Sequence, residues 1–513
     1  MIKVTFKALE WQHRDASIFA VRTPYSLLSR QTLLEELNRL ATGIPGLDDL
    51  LKGGLVAGAA YIVQGRPGSG KTIFANHLAF NHVHHGGRAL VATLLAESHE
   101  RLFKYLSTMS FYDPQRIGSE IQFVSAFDTL ENEGLDEVVK LIRREIMRQK
   151  ASVLIVDGLL NARSQAGSTL DTKKFIAELQ GHAAFAGCTV LFLTSSKLDD
   201  GSPEHTMVDG VIEIGEELVG TRSVRQIHLR KTRGSSALSG LHECVIGDSG
   251  FTVYPRLEAL YSCPSGWQTS DVSLLPSGSP DLDKALGGGL VQSSVTLAMG
   301  PSGVGKTTLG ISFLAASTPE APGLHFGFYE PPNRLKIKAA VLNYDFQALE
   351  DAGALHVAWQ PTTSGLLDDL GAHLIALVDK LKIKRVLIDS LGGMARPCNN
   401  PDRLTAFFTA LMGELRARDV LVLATWEVRS LFGSEINAPS SDLSGIADNI
   451  LLMRFVEHEA ELKRQLSILK VRDGVYDASV MEIILKENGV GLRKAIKNAP
   501  SALSGSAFTT VKP

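Results

Sequence analysis

The chain has 513 residues, enough for two or more domains, because a single hydrophobic core rarely grows past about 250–300 residues. Its 44% hydrophobic and 21% charged residues are typical of a globular protein, and its net charge of -3 gives no electrostatic reason to expect nucleic-acid or membrane binding. Membrane-spanning runs, a signal peptide and a paired-cysteine zinc or disulfide framework are also not indicated, so we expect a cytoplasmic protein.

The first predicted domain, residues 42–260, alternates short apolar runs with helical stretches. Residues 1–41 precede it as an N-terminal extension, in which "SRQTLLEELNRLA" predicts an amphipathic helix. The predicted strands are "AAYIVQG", "RALVATLL", "IQFVSAF", "SVLIVDG" and "CTVLFLTSS", and the predicted helices between them are "TIFANHLAFNHV", "ERLFKYLSTM", "LDEVVKLIRREIMRQK" and "KKFIAELQGHAAFAG". Strands that are apolar throughout indicate a parallel sheet covered by helices on both faces.

A second domain, residues 277–493, repeats the same plan after a linker at residues 261–276. "TGIPGLDDLLKGGL" is followed much later by "SGSPDLDKALGGGL", and "GRPGSGKT" by "GPSGVGKT" at the same separation. "VLIVDGL" and "LRKTRG" recur as "VLIDSLGG" and "LKVRDG" in the same order. A period this long indicates two whole domains rather than a solenoid. Residues 494–513 form a C-terminal tail.

The predicted fold class is therefore α/β, with two tandem P-loop NTPase domains. Each sheet is expected to be mostly parallel with helices on both faces. After the last of the predicted apolar strands, each copy adds strands without helices. These are "VRQIHLRKTR" in the first copy and "NILLMRFV" with "RQLSILKVR" in the second, and they predict an antiparallel extension of each sheet.

The two glycine-rich loops predict two nucleotide-binding sites. A strand, the pattern GxxxxGK[ST] and a helix together make a phosphate cradle, because glycines let backbone N–H groups wrap around the phosphates and the helix N-terminus adds positive potential. The nucleotide-binding residues predicted in this way are Gly65, Gly68, Ser69, Gly70, Lys71 and Thr72 in the first copy, and Gly300, Gly303, Val304, Gly305, Lys306, Thr307 and Thr308 in the second. The expected ligand is ATP with Mg²⁺.

Two aspartates at strand ends complete the predicted magnesium sites. Asp157 and Asp389 each end a buried apolar strand, where an unpaired carboxylate would be costly and a cation would compensate it. We expect each to act with the loop threonine, Thr72 or Thr307, in holding Mg²⁺. A helix-capping role for the two aspartates is the alternative.

A carboxylate is also expected to position or deprotonate the attacking nucleophile. "TLLAESHERL" and "FGFYEPPNRL" offer Glu97 and Glu330 directly after a predicted strand, at the edge of the sheet where ligands gather. Acidic residues that stabilise a following helix N-terminus are the alternative interpretation.

Taken together, the tandem P-loops, the "TGIPGLD" segment, the glutamate after the second strand, the strand-end aspartate and the terminal K-x-R resemble the KaiC family of double-domain, RecA-like ATPases over nearly the whole chain. The resemblance implies a homohexamer of two stacked rings with ATP between neighbouring subunits. It further implies that Lys231, Arg233, Lys470 and Arg472 reach a neighbour's phosphates. From the residues alone, these alternating charges also fit a solvated edge strand.

The chain departs from the family at several positions. The family carries paired glutamates, whereas this chain has Ala96 before Glu97 and Tyr329 before Glu330. Alignment through "IADNILLMRF" puts Ser444 at the family's phosphoserine position and Gly445 at the adjacent threonine position. A two-site phosphorylation cycle is therefore not expected. Phosphorylation of Ser444 stays open beside a packing role for it, and the weaker candidates are Ser440 and Ser441.

The sequence thus predicts a KaiC-like ATPase that acts as a signalling or timing module, with serine autokinase activity in the second domain left open. The resemblance implies self-association and a partner that is KaiB-like or a response regulator, and we expect neither a membrane nor a nucleic-acid partner. Two alternatives stay open: a RecA-type DNA motor or recombinase, which would need more basic channel loops, and a weakly catalytic nucleotide-gated scaffold.

Overall fold

A computed structural model describes most of the chain between residues 37 and 494. The described residues are 37–96, 98–159, 162, 169–195, 202–263, 265, 273–361, 365–428, 443–458, 461–487 and 489–494. Glu97, Ser440, Ser441 and nearly all of the N-terminal extension and C-terminal tail lie outside them.

The first half of the chain forms one nine-stranded sheet and its helices. Its elements in chain order are β1 Arg39–Leu40, α1 Leu47–Leu50, β2 Leu55–Val56, β3 Ala60–Gln64, α2 Lys71–His84, β4 Ala89–Thr93, α3 His99–Leu106, a 3₁₀ turn Pro114–Arg116, β5 Ile121–Ser125, α4 Phe127–Glu133, α5 Leu135–Gln149, β6 Val153–Asp157, α6 Thr169–Phe185, β7 Thr189–Thr194, α7 Pro203–Met207, β8 Gly210–Val219, β9 Arg222–Thr232, β10 Leu241–Gly247, β11 Gly250–Tyr254 and α8 Leu257–Leu260.

The second half repeats the arrangement with a second nine-stranded sheet. Its elements are β12 Leu274–Leu275, α9 Pro280–Ala285, β13 Leu290–Val291, β14 Val295–Gly300, α10 Lys306–Ala315, β15 Gly323–Gly327, α11 Pro332–Val341, α12 Phe346–Asp351, β16 Leu355–Trp359, α13 Leu367–Leu381, β17 Arg385–Asp389, α14 Leu391–Ala395, a 3₁₀ turn Pro401–Arg403, α15 Leu404–Ala417, β18 Leu421–Glu427, α16 Leu443–Ile446, β19 Asn449–His458, β20 Glu461–Val471, β21 Met481–Lys486 and β22 Gly489–Lys494.

Strand order is equivalent in the two sheets. The first runs β11-β10-β9-β8-β3-β7-β6-β4-β5 and the second β16-β15-β17-β18-β14-β19-β20-β21-β22, which is the same order read from the other end. In this order, the first sheet is parallel from β5 through β8 and the second from β16 through β19. Strands β9 to β11 and β20 to β22 continue the two sheets in antiparallel fashion, while β1-β2 and β12-β13 form separate two-stranded sheets. The predicted α/β fold with antiparallel edge strands is confirmed.

The core of each half lies on both faces of its sheet because the parallel strands are apolar on both sides. In β3, Tyr61 and Val63 belong to one buried cluster, and Ala60 and Ile62 belong to the other. Helix α2, which follows the first glycine-rich loop, covers the first face through Phe74 and its neighbours, and α5 and α6 cover the second. A one-residue slip of β3 would exchange the residues that face the two cores, so packing on both faces sets the register of this strand.

The helix predicted over "SRQTLLEELNRLA" is wrong at its C-terminal end. Arg39–Leu40 form a short strand that pairs antiparallel with Leu55–Val56. Leu40 packs against the first core, and the Arg39 guanidinium donates to the carbonyls of Leu51 and Gly54, both at 3.0 Å. These long-range contacts override the local helical pattern. The earlier part of the predicted helix lies outside the described residues.

The two halves meet through α8, which follows the last strand of the first sheet. Leu257 is buried within the core of the second half, and its N–H donates to Asp368 at 3.1 Å. Arg403 donates to Glu258 and to Asp368 at 2.8–3.1 Å. Across the part of the chain that the structure describes, no helix combines the length and apolar character needed to cross a membrane.

Candidate nucleotide sites

Both glycine-rich loops lie at the carboxyl end of a central parallel strand and lead directly into a helix. The loop after β3 begins α2 at Lys71, and the loop after β14 begins α10 at Lys306. The residue before each lysine is a glycine with left-handed backbone, at φ 100° for Gly70 and 111° for Gly305. Only glycine adopts these angles without strain, so the loop can turn its N–H groups inward.

The start of each loop also requires glycine, for a different reason. A Cβ on Gly65 would lie 2.1 Å from the carbonyl oxygen of Ile214, and one on Gly300 would lie 2.4 Å from that of Met453. The backbones of the neighbouring strands β8 and β19 therefore pack directly against the loops and leave no room for a side chain at these positions. Gly68 and Gly303 have positive φ as well, at 81° and 79°.

The side chains of the remaining loop residues lie either at a cavity or in the hydrophobic core. The Ser69 hydroxyl is buried and has no hydrogen-bond partner among the described residues, so it can donate to an anion held by the loop. Thr308 lines the cavity of the second loop, whereas the Val304 side chain is fully buried in the core and can offer only its backbone. These features fit a nucleotide's phosphates.

Each loop lysine lies over the strand end that precedes it. Lys71 Nζ donates to the carbonyls of Gly65 and Arg66, both at 2.9 Å, and Lys306 Nζ makes the equivalent contacts with Gly300 and Pro301 at 2.7 Å. Burial lowers the pKa of both lysines, and nearby carboxylates oppose the shift. A nearby anion stabilises a desolvated ammonium of this kind, and a phosphate group could serve as that anion.

The strand-end aspartates meet the loop threonines in both halves. Thr72 Oγ1 donates to Asp157 Oδ2 at 3.2 Å, and Thr307 Oγ1 donates to Asp389 Oδ2 at 2.9 Å. A hydroxyl and a carboxylate beside a phosphate cradle form an oxygen donor set that suits Mg²⁺. Helix capping does not explain Asp389, because Ser390 caps α14 by accepting from the N–H of Gly393.

A cavity of about 420 Å³ surrounds the second loop. It brings together the predicted residues Lys306, Thr307, Asp389 and Glu330. The sequence analysis missed six more of its lining residues, which are Ser302, His325, Lys338, Ser390, Thr425 and Glu427. Glu427 ends β18 and Thr425 Oγ1 donates to Asp389 Oδ1 at 2.5 Å. The polar end of the apolar run "VLVLATWE" was the signal that could have found these two.

Glu330 is half-buried at this cavity and forms an ion pair with Lys338 of α11. The pair involves Oε1, and the second carboxylate oxygen, Oε2, is buried and accepts no hydrogen bond from any residue that the structure describes. Tyr329, at the position of the missing first glutamate, is exposed. The geometry at Glu97 lies outside the described residues.

The K-x-R residues lie far from their own loop. Thr232 is the register partner of Gly210, at the amino end of β8, whereas the first loop follows the carboxyl end of the parallel strand β3. Lys231 and Arg233 therefore lie beside the amino ends of the parallel strands, whereas the loop lies at their carboxyl ends. Lys231 Nζ donates to the carbonyls of His205 and Val208 at 2.7 and 2.6 Å.

The second half repeats this separation. Lys470 Nζ donates to the carbonyls of Ser444 and Ala447 at 2.7 and 2.8 Å. Arg472 pairs with Asp448 at 3.0 Å and donates to the carbonyl of Gly445. Ser444 is exposed on α16 at this same edge, away from the loop of its own chain. The structure thus groups the K-x-R residues with Ser444 and separates both from the phosphate loop.

Comparison with known proteins gives a consistent result. The profile of one family, described as "ATPase: KaiC", matches residues 40–258 and again residues 275–495. Curated relatives named "Circadian clock oscillator protein KaiC" match along the whole plan. The protein from Parasynechococcus marenigrum (strain WH8102) is 25% identical over 92% of this chain and 93% of its own length, and that from Thermostichus vulcanus is 26% identical over 92% of both.

Proposed function

Because the chain belongs to the KaiC ATPase family, we propose that it binds ATP with Mg²⁺ in both halves and hydrolyses it. The observation that carries the proposal is the duplicated cradle, in which a loop lysine, a loop threonine and a strand-end aspartate recur with equivalent contacts.

The chain's own residues divide the work of hydrolysis as follows. Loop N–H groups and Lys71 or Lys306 bind the β- and γ-phosphates and neutralise their charge. Thr72 with Asp157, and Thr307 with Asp389, would hold Mg²⁺, which supplies further charge neutralisation. In the second half, the carboxylate of Glu330 orients a water molecule and accepts its proton as the water oxygen attacks the γ-phosphorus and ADP leaves.

We propose that the sites are completed by a second copy of the chain. Lys231, Arg233, Lys470 and Arg472 lie at the edge opposite their own loops, so each can approach a nucleotide only when another subunit presents one. A homohexamer of two stacked rings satisfies this requirement in both halves. A cation supplied in this way stabilises transition-state charge and couples hydrolysis to assembly.

The same geometry bears on the kinase hypothesis. Ser444 is exposed at the edge that would face a neighbour's nucleotide, beside Lys470 and Arg472. In this reaction the Ser444 Oγ attacks the γ-phosphorus of the neighbour's ATP, the bond to the β-phosphate oxygen breaks, and the hydroxyl proton passes to a carboxylate such as Glu330 of that subunit. ADP and phosphoserine are the products.

The relatives' printed name, circadian clock oscillator protein, extends the proposal to a signalling or timing role. Two rings with separate nucleotide states allow the occupancy of one ring to bias the other. A KaiB-like protein or a response regulator is the class of partner that would read such a state.

A lysine-substitution series tests the enzymatic proposal. We expect Lys71→Ala and Lys306→Ala each to remove part of the phosphate release measured with ATP·Mg²⁺, and the double variant to remove nearly all of it. Lys140→Ala is the matched control, because Lys140 is an exposed lysine on α5. Parental phosphate release by the double variant would refute the proposal.

Two measurements test assembly and phosphorylation separately. Light scattering should report six chains per particle with ATP·Mg²⁺, and a monomer under these conditions would exclude sites shared between subunits. Intact-mass analysis after the same incubation should show a phosphate that Ser444→Ala removes. An unmodified chain that still consumes ATP would remove the kinase activity and leave the ATPase.

A weakly catalytic, nucleotide-gated scaffold is the second candidate. The ion pair between Glu330 and Lys338 favours it for the second half, since a paired carboxylate is held away from catalysis. Glu330→Gln in a Lys71→Ala background separates the two functions. Slower phosphate release than in Lys71→Ala alone supports the enzyme, and an unchanged rate of phosphate release supports the scaffold.

A further inference from the structure

His325 is a buried histidine at the second nucleotide site. It lies on β15, its side chain is 1% exposed, and it lines the cavity around the loop. Among the residues that the structure describes, neither ring nitrogen has a hydrogen-bond partner. Leaving buried polar atoms unpaired is costly, so a histidine kept in this state points to a partner that arrives in another state of the site.

Gly327 makes room for this imidazole. A Cβ at Gly327 would lie 2.1 Å from His325 Cε1, so the ring runs alongside the strand past position 327 towards the carboxyl edge of the sheet. Gly327 is the register partner of Asp389, so the ring approaches the strand-end aspartate.

The first half has a different pair at the same register. There the partner of Asp157 is Thr93, and the residue two positions before it is Val91. Valine and threonine fill this space without a buried ring. The histidine and the glycine that admits it therefore occur together, and only in the second of the two nucleotide sites.

Glu330, in the same cavity, offers a hydrogen-bond acceptor for His325. Glu330 Oε2 is a buried acceptor that receives no hydrogen bond from the described residues, and Glu330 Oε1 is held by Lys338. In either charge state the His325 imidazole carries at least one N–H donor. An N–H donor and a carboxylate acceptor, neither with a hydrogen-bond partner within the described part of the chain, thus line one cavity.

We propose that His325 is a positioning residue of the second site, whose N–H holds the Glu330 carboxylate towards bound nucleotide after Glu330 releases Lys338. The inference rests on the proposed function of Glu330. His325 acts through that carboxylate and does not itself touch the reacting atoms. It gives the second half a support for its single glutamate where Tyr329 replaces the first of the family's pair.

The first test measures steady-state kinetics in a Lys71→Ala background, where phosphate release reports the second half. The double substitution His325→Val with Gly327→Thr installs the pair found in the first half. We expect kcat to fall about tenfold, the loss of one hydrogen bond to a charged group, while KM for ATP stays within about twofold. His325→Gln with Gly327 unchanged keeps a side-chain N–H donor, so its kcat should lie between those of the double variant and the parent. Parental kcat in the double variant would overturn the proposal.

The second test does not depend on turnover. In a crystal structure of the full chain with a non-hydrolysable ATP analogue, we expect a His325 ring nitrogen about 3 Å from Glu330 Oε2 and Lys338 displaced from Oε1. Glu330 still paired with Lys338 beside bound analogue would overturn the proposal. A parent without ATP turnover would refute the proposed function instead, and the analogue complex would still decide the role of His325.

Discussion

Removing the Arg403 guanidinium should uncover a buried charge where the two halves meet. Its Nε and Nη2 donate to Glu258 at 2.8 and 3.0 Å, and Nη2 also donates to both oxygens of Asp368 at 3.0 and 3.1 Å. Asp368 is fully buried. Burial raises the pKa of Asp368, and Arg403 opposes that shift. In Arg403→Ala, the N–H of Leu257 would be the remaining donor described for this carboxylate.

The size of the effect is bounded by the chemistry of Asp368. Breaking a buried ion pair costs about 3–5 kcal/mol. The folded chain can instead protonate Asp368, which near pH 7 costs about 4 kcal/mol, from an ordinary pKa of about 3.9 at about 1.4 kcal/mol per unit. We therefore expect a loss of about 3–4 kcal/mol near pH 7, which corresponds to roughly 10 °C in Tm for a domain of this size.

The pH dependence gives the decisive measurement. A carboxyl group whose pKa is raised in the folded state destabilises the fold increasingly as the pH rises above the pKa of the unfolded state. Near pH 5, the cost of protonating Asp368, which limits the loss of stability in Arg403→Ala, is therefore only about 1.5 kcal/mol. Calorimetric Tm at both pH values measures the difference. Arg493→Ala is the control, because Arg493 makes a two-bond pair with Glu482 at an exposed edge and should matter little. A Tm loss at Arg403 no larger than at Arg493, or equal at the two pH values, would refute the reasoning.

Three further predictions follow from individual contacts. Gly300→Ala should abolish ATP binding in the second half, measured by equilibrium dialysis in a Lys71→Ala background, because the new Cβ would lie 2.4 Å from the Met453 carbonyl oxygen. Glu243→Gln should raise Tm near pH 8 and change it little near pH 5, because burial raises the pKa of Glu243 to about 7 and stability is lost as pH rises from its unfolded value to that pKa. Thr425→Val should weaken Mg²⁺-dependent nucleotide binding in the second half several-fold, since Asp389 loses a 2.5 Å hydrogen bond.

Much of the site could be predicted because its determinants are local in the chain. Glycines that need left-handed angles, a lysine at the first turn of a helix and an apolar strand that ends in aspartate are all visible as short patterns. Contacts such as those of Lys71 and of Thr307 with Asp389 follow once the strands pair in parallel. The duplication strengthened each assignment, since the same order of motifs appears twice.

Other features depended on which strands became neighbours. The pattern "LKVRDG" does not tell which edge of the sheet its lysine occupies, and the antiparallel return of β20 brought Lys470 to the carbonyl of Ser444. Likewise, the pattern "GLHFG" predicts only a buried strand. The pairing of this strand with β17 is what places His325 near Asp389.

The sequence by itself determined the α/β class, the two phosphate loops and their strand-end aspartates, because backbone angles and the alternation of apolar residues are set within a few neighbouring positions. Only the tertiary structure decided that the K-x-R cations lie away from their own loops, that Glu330 pairs with Lys338 and that Arg403 joins the two halves. Those arrangements depend on strand order and on the packing of distant segments, which balance burial, charge and hydrogen bonding over the whole fold.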